Sequence, residues 1–301
     1  MSAAYENFDP LGVGLKGLWE YLKDFGNSAF TTSLAGAFAG AYAAQKIAEN
    51  SKVRDELISE IRFTNNGLVL ALTISNLAIA IKKQHVSKLK ASYDADVARA
   101  KAHMARVRSG TIGHNSPLTL SMDFITLQEI APPIAALHDI VLGKIATSAK
   151  AIATVTALAD GITNLNAALR RRNDLITDYK AKKFPDGARI QDLYLGLEYG
   201  DAKVNNEYGN TLHGIHSYMD DVIFFGMTLC EELQRHGQRV MSNNKKNLKG
   251  ATLDLVEVDF QPAKELGLIP NDDDYKEWAS GMRAKSKPKP GWWARRRNSP
   301  V

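Results

Sequence analysis

The stretch FTNNGLVLALTISNLAIAI, residues 63–81, decides the fold because it contains no charged residue and is long enough to cross a bilayer as a helix. From Leu68 onward, apolar side chains cover every face of that helix, and such a helix lies either in a protein core or in a membrane. Asn65, Asn66 and Asn76 argue against an isolated span in lipid, although a contact between helices tolerates them. The stretch is therefore either a core helix or a membrane span.

A seam at spacings of three and four residues runs through this stretch and continues beyond it. Such a register is typical of a coiled-coil or bundle helix, in which a few polar residues fix the alignment of neighbouring helices. It favours a long soluble helix with a buried middle, whereas the lack of charge favours a span, and both interpretations stay open. The seam consists of Ile61, Asn65, Leu68, Leu72, Ser75, Ile79, Lys82, Val86, Leu89 and Tyr93.

A second uncharged stretch, FGNSAFTTSLAGAFAGAYAAQ, occupies residues 25–45 between Asp24 and Lys46. Small residues recur along one face of it, and such faces let helix backbones approach closely in lipid. We therefore predict a transmembrane helix at residues 25–45; the alternative is an alanine-rich buried helix of a soluble bundle. The predicted face for helix packing in the membrane comprises Ser33, Gly36, Ala37, Gly40 and Ala44.

The flanks of these stretches predict an orientation. Four lysines between residues 82 and 90 follow the stretch at 63–81 with no acid until Asp94, and positively charged flanks stay in the cytoplasm. Residues 1–24 are expected to form an amphipathic interfacial helix with Trp19 at the membrane surface. With one span or two, the bulk of the chain is cytoplasmic, and the single cysteine, Cys230, fits a reducing compartment.

The rest of the chain predicts long helices. A long helix at residues 46–108 contains the second candidate span, and glycine, asparagine and proline then mark a loop at residues 109–120. Apolar seams return in one helix from residue 134 to about residue 182, and in another from Leu212 to Val240. Residues 109–250 should therefore form a cytoplasmic helical bundle with antiparallel neighbours.

The C-terminal part is expected to be a small segment at residues 251–282. Alternating apolar residues predict one short strand at residues 252–260, with Leu253, Leu255, Val258 and Phe260 pointing inward. A last short helix should begin near Asn271. The fold class is all-α: a membrane-anchoring helix or helical hairpin, then a long, coiled-coil-like antiparallel bundle.

The formal charge of +5 is concentrated at the C-terminus, where residues 283–301 carry seven basic residues and no acid. The remaining chain has 31 basic and 33 acidic residues, so we do not expect nucleic acid as its partner. The tail should be disordered and suited to an anionic membrane surface; a contact with nucleic acid through the tail is the alternative. Its predicted membrane-surface residues are Trp292, Trp293, Arg295, Arg296 and Arg297.

One constellation could carry chemistry. His213, His216 and Asp220 lie on overlapping faces of a helix, and imidazole with carboxylate is a sound ligand set for a divalent metal. The alternative is a surface pair of histidines beside the core seam. His114 lies in a loop without an assignable partner, and Cys230 is interpreted as a packed residue. We expect no cofactor and no catalysis.

Three functions follow from these observations. The first is a membrane-anchored helical protein that acts by self-assembly or by binding a partner, with a membrane-acting effector as its sharper version. Its partners would be the lipid bilayer and a second copy of the chain or another protein. The second is a soluble helical bundle whose basic, tryptophan-containing tail binds nucleic acid or a partner. The third is a metal-dependent enzyme that uses His213, His216 and Asp220.

Overall fold

The computed structural model describes residues 29–281, with side chains for residue 33 and residues 36–281. This part of the chain is mostly helical, as the sequence predicts. A π-helical turn, Lys82–Val86, joins the first two helices, and a 3-10 turn, Asp272–Tyr275, precedes the last. The strands β1 (Glu198–Tyr199) and β2 (Lys203–Val204) form an antiparallel pair. The helices are α1 (Ala29–Ile81), α2 (Ser87–Arg108), α3 (Ile134–Gly143), α4 (Ala149–Lys180), α5 (Ile190–Leu195), α6 (Glu207–Asn243), α7 (Gln261–Glu265) and α8 (Lys276–Ser280).

The chain divides into two compact units. Unit 1 contains the residues up to Ser59 together with Asn244–Ala251, and unit 2 contains Glu60–Asn243 and the residues from Thr252 onward. In unit 1, every side chain of α1 from Gly36 to Val53 is exposed. The core of the described residues, which begins at Ile61, therefore lies in unit 2.

Unit 2 is organised around α6, which lies antiparallel to both α1 and α4. Along α1, the contacts run from Glu60 with His236 to Lys82 with Asp220. Between these two contacts Gly226 lies against Ser75, where an added Cβ would collide with the serine Oγ. Along α4, Lys150 pairs with Glu232 at 3.2 Å, and Gly161 packs against Val222. The long helices thus pack in a bundle-like arrangement.

Residues 63–81 contribute the central part of this core. Leu68, Ala71 and Ile74 are fully buried, whereas Val69 is 49% exposed on the opposite side of α1. In the described part of the chain, the continuous helical stretch Gly36–Arg108 runs through α1, the π-helical turn and α2. Judged by length and composition alone it could cross a membrane, but a core helix of a soluble protein meets the same criteria. In this structure the apolar stretch buries one face against other helices of unit 2.

The seams predict the buried faces well, but one predicted helix is wrong. All ten seam residues from Ile61 to Tyr93 are buried or half-buried. The single helix predicted from residue 134 to about residue 182 is instead two helices, because α3 ends at Gly143 and α4 begins at Ala149. Ser148 caps α4 by accepting a hydrogen bond of 3.1 Å from the Ala151 amide, a standard signal for a helix start.

The strand predicted at residues 252–260 is also wrong, since this segment pairs with no other strand of the described chain. Its alternation is nevertheless real: Leu253, Leu255, Val258 and Phe260 are half-buried, and the last three pack against the core. The last short helical segment begins at Asn271 as predicted, where the Asn271 side chain accepts a hydrogen bond from the Asp273 amide.

Candidate functional site

The face predicted for helix packing lies on the exposed part of α1. An added Cβ on Gly36 or Gly40 would meet no atom within 4 Å, so the described residues leave this face uncovered. Phe38 and Tyr42, which are 68% and 71% exposed, project from the opposite side because successive helical residues are rotated by about 100°. The helix therefore offers a small-residue face and an aromatic face. The exposed small residues are Ser33, Gly36, Ala37, Gly40 and Ala44.

The residues predicted at the membrane surface lie outside the described part of the chain. They are Trp19, in the predicted interfacial helix at residues 1–24, and five residues in the basic tail at residues 283–301: Trp292, Trp293, Arg295, Arg296 and Arg297.

The structure brings two of the three candidate metal ligands together. His216 Nδ1 lies 3.3 Å from Asp220 Oδ2, while His213 Nδ1 instead makes a hydrogen bond of 2.7 Å with the Gly209 carbonyl. The Lys82 ammonium lies 2.5 Å from Asp220 Oδ1 and therefore takes the place that a cation would occupy at this carboxylate. No group of three or more His, Cys, Asp or Glu side chains among residues 29–281 could hold a metal ion.

Lys82 links this cluster to the C-terminal segment. It lies in the π-helical turn, is 5% exposed, and donates a second hydrogen bond of 2.9 Å to the Leu268 carbonyl. Next to it, the Tyr275 hydroxyl donates to Asp221 at 2.9 Å, and the Tyr275 ring stacks on Phe224 with centroids 3.8 Å apart. These contacts hold the segment after residue 260 against α6.

Burial controls the titration of this cluster. The pKa of His216 is lowered because burial disfavours the imidazolium, although Asp220 acts in the opposite direction. The pKa of Asp221 is raised because burial disfavours its carboxylate, against the hydrogen bond from Tyr275. His216 is therefore neutral at neutral pH, and the contact between Lys82 and Asp220 joins the π-helical turn to α6.

A second polar network holds the extended segment at residues 120–130. The buried Asp96 carboxylate accepts hydrogen bonds from the Ser121 and Met122 amides, the Tyr194 hydroxyl and the Arg99 guanidinium. Burial alone would raise the pKa of Asp96, but these donors lower it below its usual value. Asp96 therefore fixes the start of this segment.

Arg172 continues this network from α4. It is fully buried and donates to the Ile125 and Asp123 carbonyls at 2.6 and 3.0 Å, without an acidic partner in the described chain. Arg172 differs in this from the two arginines before it. Its neighbours do pair with acids: Arg170 with Glu129 and Arg171 with Glu207.

Three asparagines act as backbone clamps, in which one side-chain amide both donates to and accepts from the backbone of an extended segment. Asn166 binds both the amide and the carbonyl of Ile130, at 2.9 and 2.8 Å. Asn173 does the same for Leu127, at 3.2 and 2.7 Å. The two asparagines are separated by seven helical steps, about 10.5 Å, which matches the three extended steps of about 3.3 Å each between Leu127 and Ile130.

Asn65 forms the third clamp, on residues 252–260. It donates to the Asp254 carbonyl at 2.8 Å and accepts from the Val256 amide at 3.0 Å. This explains how an alternating segment stays extended without a partner strand. Asn65 belongs to the predicted seam of residues 61–93, and a polar residue in an apolar seam is the sequence signal for a bound backbone.

Cys230 and His114 are the remaining candidate nucleophile and base. Cys230 is 1% exposed, and burial raises the pKa of its thiol to about 12, which keeps it protonated. His114 is exposed in the loop after α2.

Comparisons with protein-family models, with curated proteins and with solved structures found no match.

Proposed function

We infer that the chain is a membrane-anchored helical protein with one span, at residues 25–45, and that unit 2 is a cytoplasmic body that acts by binding a partner or a second copy. The observation that carries this proposal is the contrast between the two apolar stretches. The α1 side chains from Gly36 to Val53 are exposed, whereas residues 63–81 bury a face against α6. An uncovered apolar helix needs lipid or a partner, and a covered one does not.

The charges after the second stretch support a single span. Lys82 would sit at a membrane surface if residues 63–81 crossed the bilayer, but it is buried against Asp220 and the Leu268 carbonyl. Pulling residues 63–81 into lipid would separate this pair and expose its members. One span is therefore the simpler arrangement.

Two measurements test the proposal. Membranes from expressing cells are washed with alkaline carbonate, and the chain should stay in the membrane pellet; release into the soluble fraction would contradict the anchor. Topology reporters are then fused after Lys46 and after Lys83. With one span both reporters lie on the cytoplasmic side, whereas with two spans the first lies outside.

A soluble helical bundle is the second candidate, and the buried face of residues 63–81 favours it. The carbonate wash separates the two functions, because only the soluble bundle predicts release. A deletion of residues 25–45 is the matched control. If these residues are the anchor, the shortened chain should become soluble and keep the thermal unfolding of unit 2.

A further inference from the structure

We propose that a basic tip on unit 2, residues 101–117, binds the phosphate backbone of duplex DNA. The tip comprises the last two turns of α2 and the loop that follows. Residues 97–122 contain four lysines and arginines and no aspartate or glutamate, although the chain before the C-terminal tail has a slight excess of acids. This inference is independent of the membrane anchor.

The cations of the tip are available for a ligand. Lys101, Arg106 and Arg108 are exposed, and none of them forms an ion pair within residues 29–281. Arg99, by contrast, is held by Asp96 and by the Ser121 hydroxyl at 2.9 Å, and serves the fold. Three cations without an ion pair on one element give a local positive field that the near-neutral total of residues 1–282 conceals.

The shape and chemistry of the tip favour a duplex. An α-helix is about 10–12 Å across, which suits the major groove of B-form DNA at about 12 Å. Ala98, Ala102 and Ala105 are exposed between the cations, so little side-chain bulk separates the helix from a groove. Residues 97–122 contain no aromatic side chain, and stacking on aromatic rings is what single strands require.

The surface of the tip disfavours the other polyanion, an anionic bilayer. Residues 101–117 lack the exposed aromatic or large apolar residues with which amphipathic helices enter lipid.

The test is a titration of fluorescent 25-base-pair DNA with the full chain in neutral detergent, followed by anisotropy at several salt concentrations. The triple variant Lys101→Gln, Arg106→Gln, Arg108→Gln is compared with the control Lys245→Gln, Lys246→Gln, Lys249→Gln, which removes the same charge from residues 244–251. The basic tail is intact in both variants, so its contribution cancels in the comparison.

The tip variant should bind at least tenfold more weakly than the control, and the slope of log K against log salt should fall by about 2.7. Circular dichroism should show that both variants are folded, since the substituted residues are exposed. Equal loss in the two variants would overturn the proposal. So would a preference for single strands, competition by polyglutamate at equal charge, or a loss of binding to anionic vesicles without a loss of binding to DNA.

Discussion

The ion pair between Lys82 and Asp220 provides the sharpest test of the packing of residues 63–81. Lys82→Met removes a buried ammonium, which is the donor to both Asp220 Oδ1 and the Leu268 carbonyl. Breaking a buried pair costs about 3–5 kcal/mol, and because the Asp220 side chain is 19% exposed, we expect the low end, about 3 kcal/mol. Asp220→Leu should cost a similar amount because it strands the ammonium.

The double variant Lys82→Met, Asp220→Leu should be more stable than the sum of the two losses predicts. Two apolar residues can pack where the charges were, so the double variant should lose at least about 1 kcal/mol less than the sum of the two single losses. The free energy of unfolding is measured by urea titration with far-UV circular dichroism, using the full chain in neutral detergent. Lys83→Met is the matched control, since Lys83 is the exposed neighbour of Lys82.

Two results would refute this reasoning. The first is a loss below about 0.5 kcal/mol for Lys82→Met, which is the range of an ordinary surface substitution. The second is additivity of the two substitutions, which would mean that the residues are not in contact. Either result would reopen the interpretation of residues 63–81 as a span with Lys82 at the membrane surface.

Three further predictions concern other parts of the chain. Asn173→Ala should lower the free energy of unfolding by about 1–3 kcal/mol and speed hydrogen exchange at the Leu127 amide. Asn164→Ala, at an exposed position of α4, should do neither. Because the pKa of Asp96 is lowered in the folded state, its carboxylate stabilises the fold above the ordinary pKa of 3.8, and this contribution is lost as the pH falls below that value. The Asp96→Asn variant should therefore be less stable than the wild type at pH 7. Unfolding curves recorded at decreasing pH should show this difference in stability shrinking in acid. If the small-residue face of α1 mediates self-association, Gly40→Leu should reduce cross-linked dimers in membranes, while Phe38→Leu on the opposite face leaves them unchanged.

The sequence predicts the long helices because their apolar residues recur with the helical period. The residues that are buried in the structure recur with the same period. The seam from Leu212 to Val240 identifies the buried face of α6, and Gly226 on this face marks the close approach of Ser75. The break between α3 and α4 was missed because the seam continues across it, although Gly143 and Ser148 are typical of a helix end and a helix start.

The polar residues of the core were harder to predict, since a charge in a sequence suggests a surface. Lys82 lies in a seam yet also follows an apolar stretch, and the second fact led to its interpretation as a membrane flank. Arg172 lies three residues after Leu169 and four before Ile176, so its spacing already placed it on the buried face. The groups that bind these two cations lie in segments distant in sequence, so no local sequence pattern reveals them.

The positive charge of the tip does not show in the total charge of residues 1–282. The positive charge of the tail stands together at residues 283–301, whereas the basic residues at 97–122 lie between Asp96 and Asp123. The total for the body is close to neutral only because acids elsewhere offset this local excess. None of the α2 residues after Ala100 is buried, and this could not be predicted because it depends on where the helix loses its packing partners.

The asparagine clamps have a consequence for how this protein can change over generations. Asn166, Asn173 and Asn65 recognise main-chain groups, which every residue except proline provides in full. The exposed positions between the clamped residues, such as Gln128 and Glu129, should therefore accept nearly any substitution except proline, whereas each asparagine should tolerate almost none. A variant library scored for folding would show rapid divergence along the held segment beside three invariant amides, a pattern that could be mistaken for a dispensable loop.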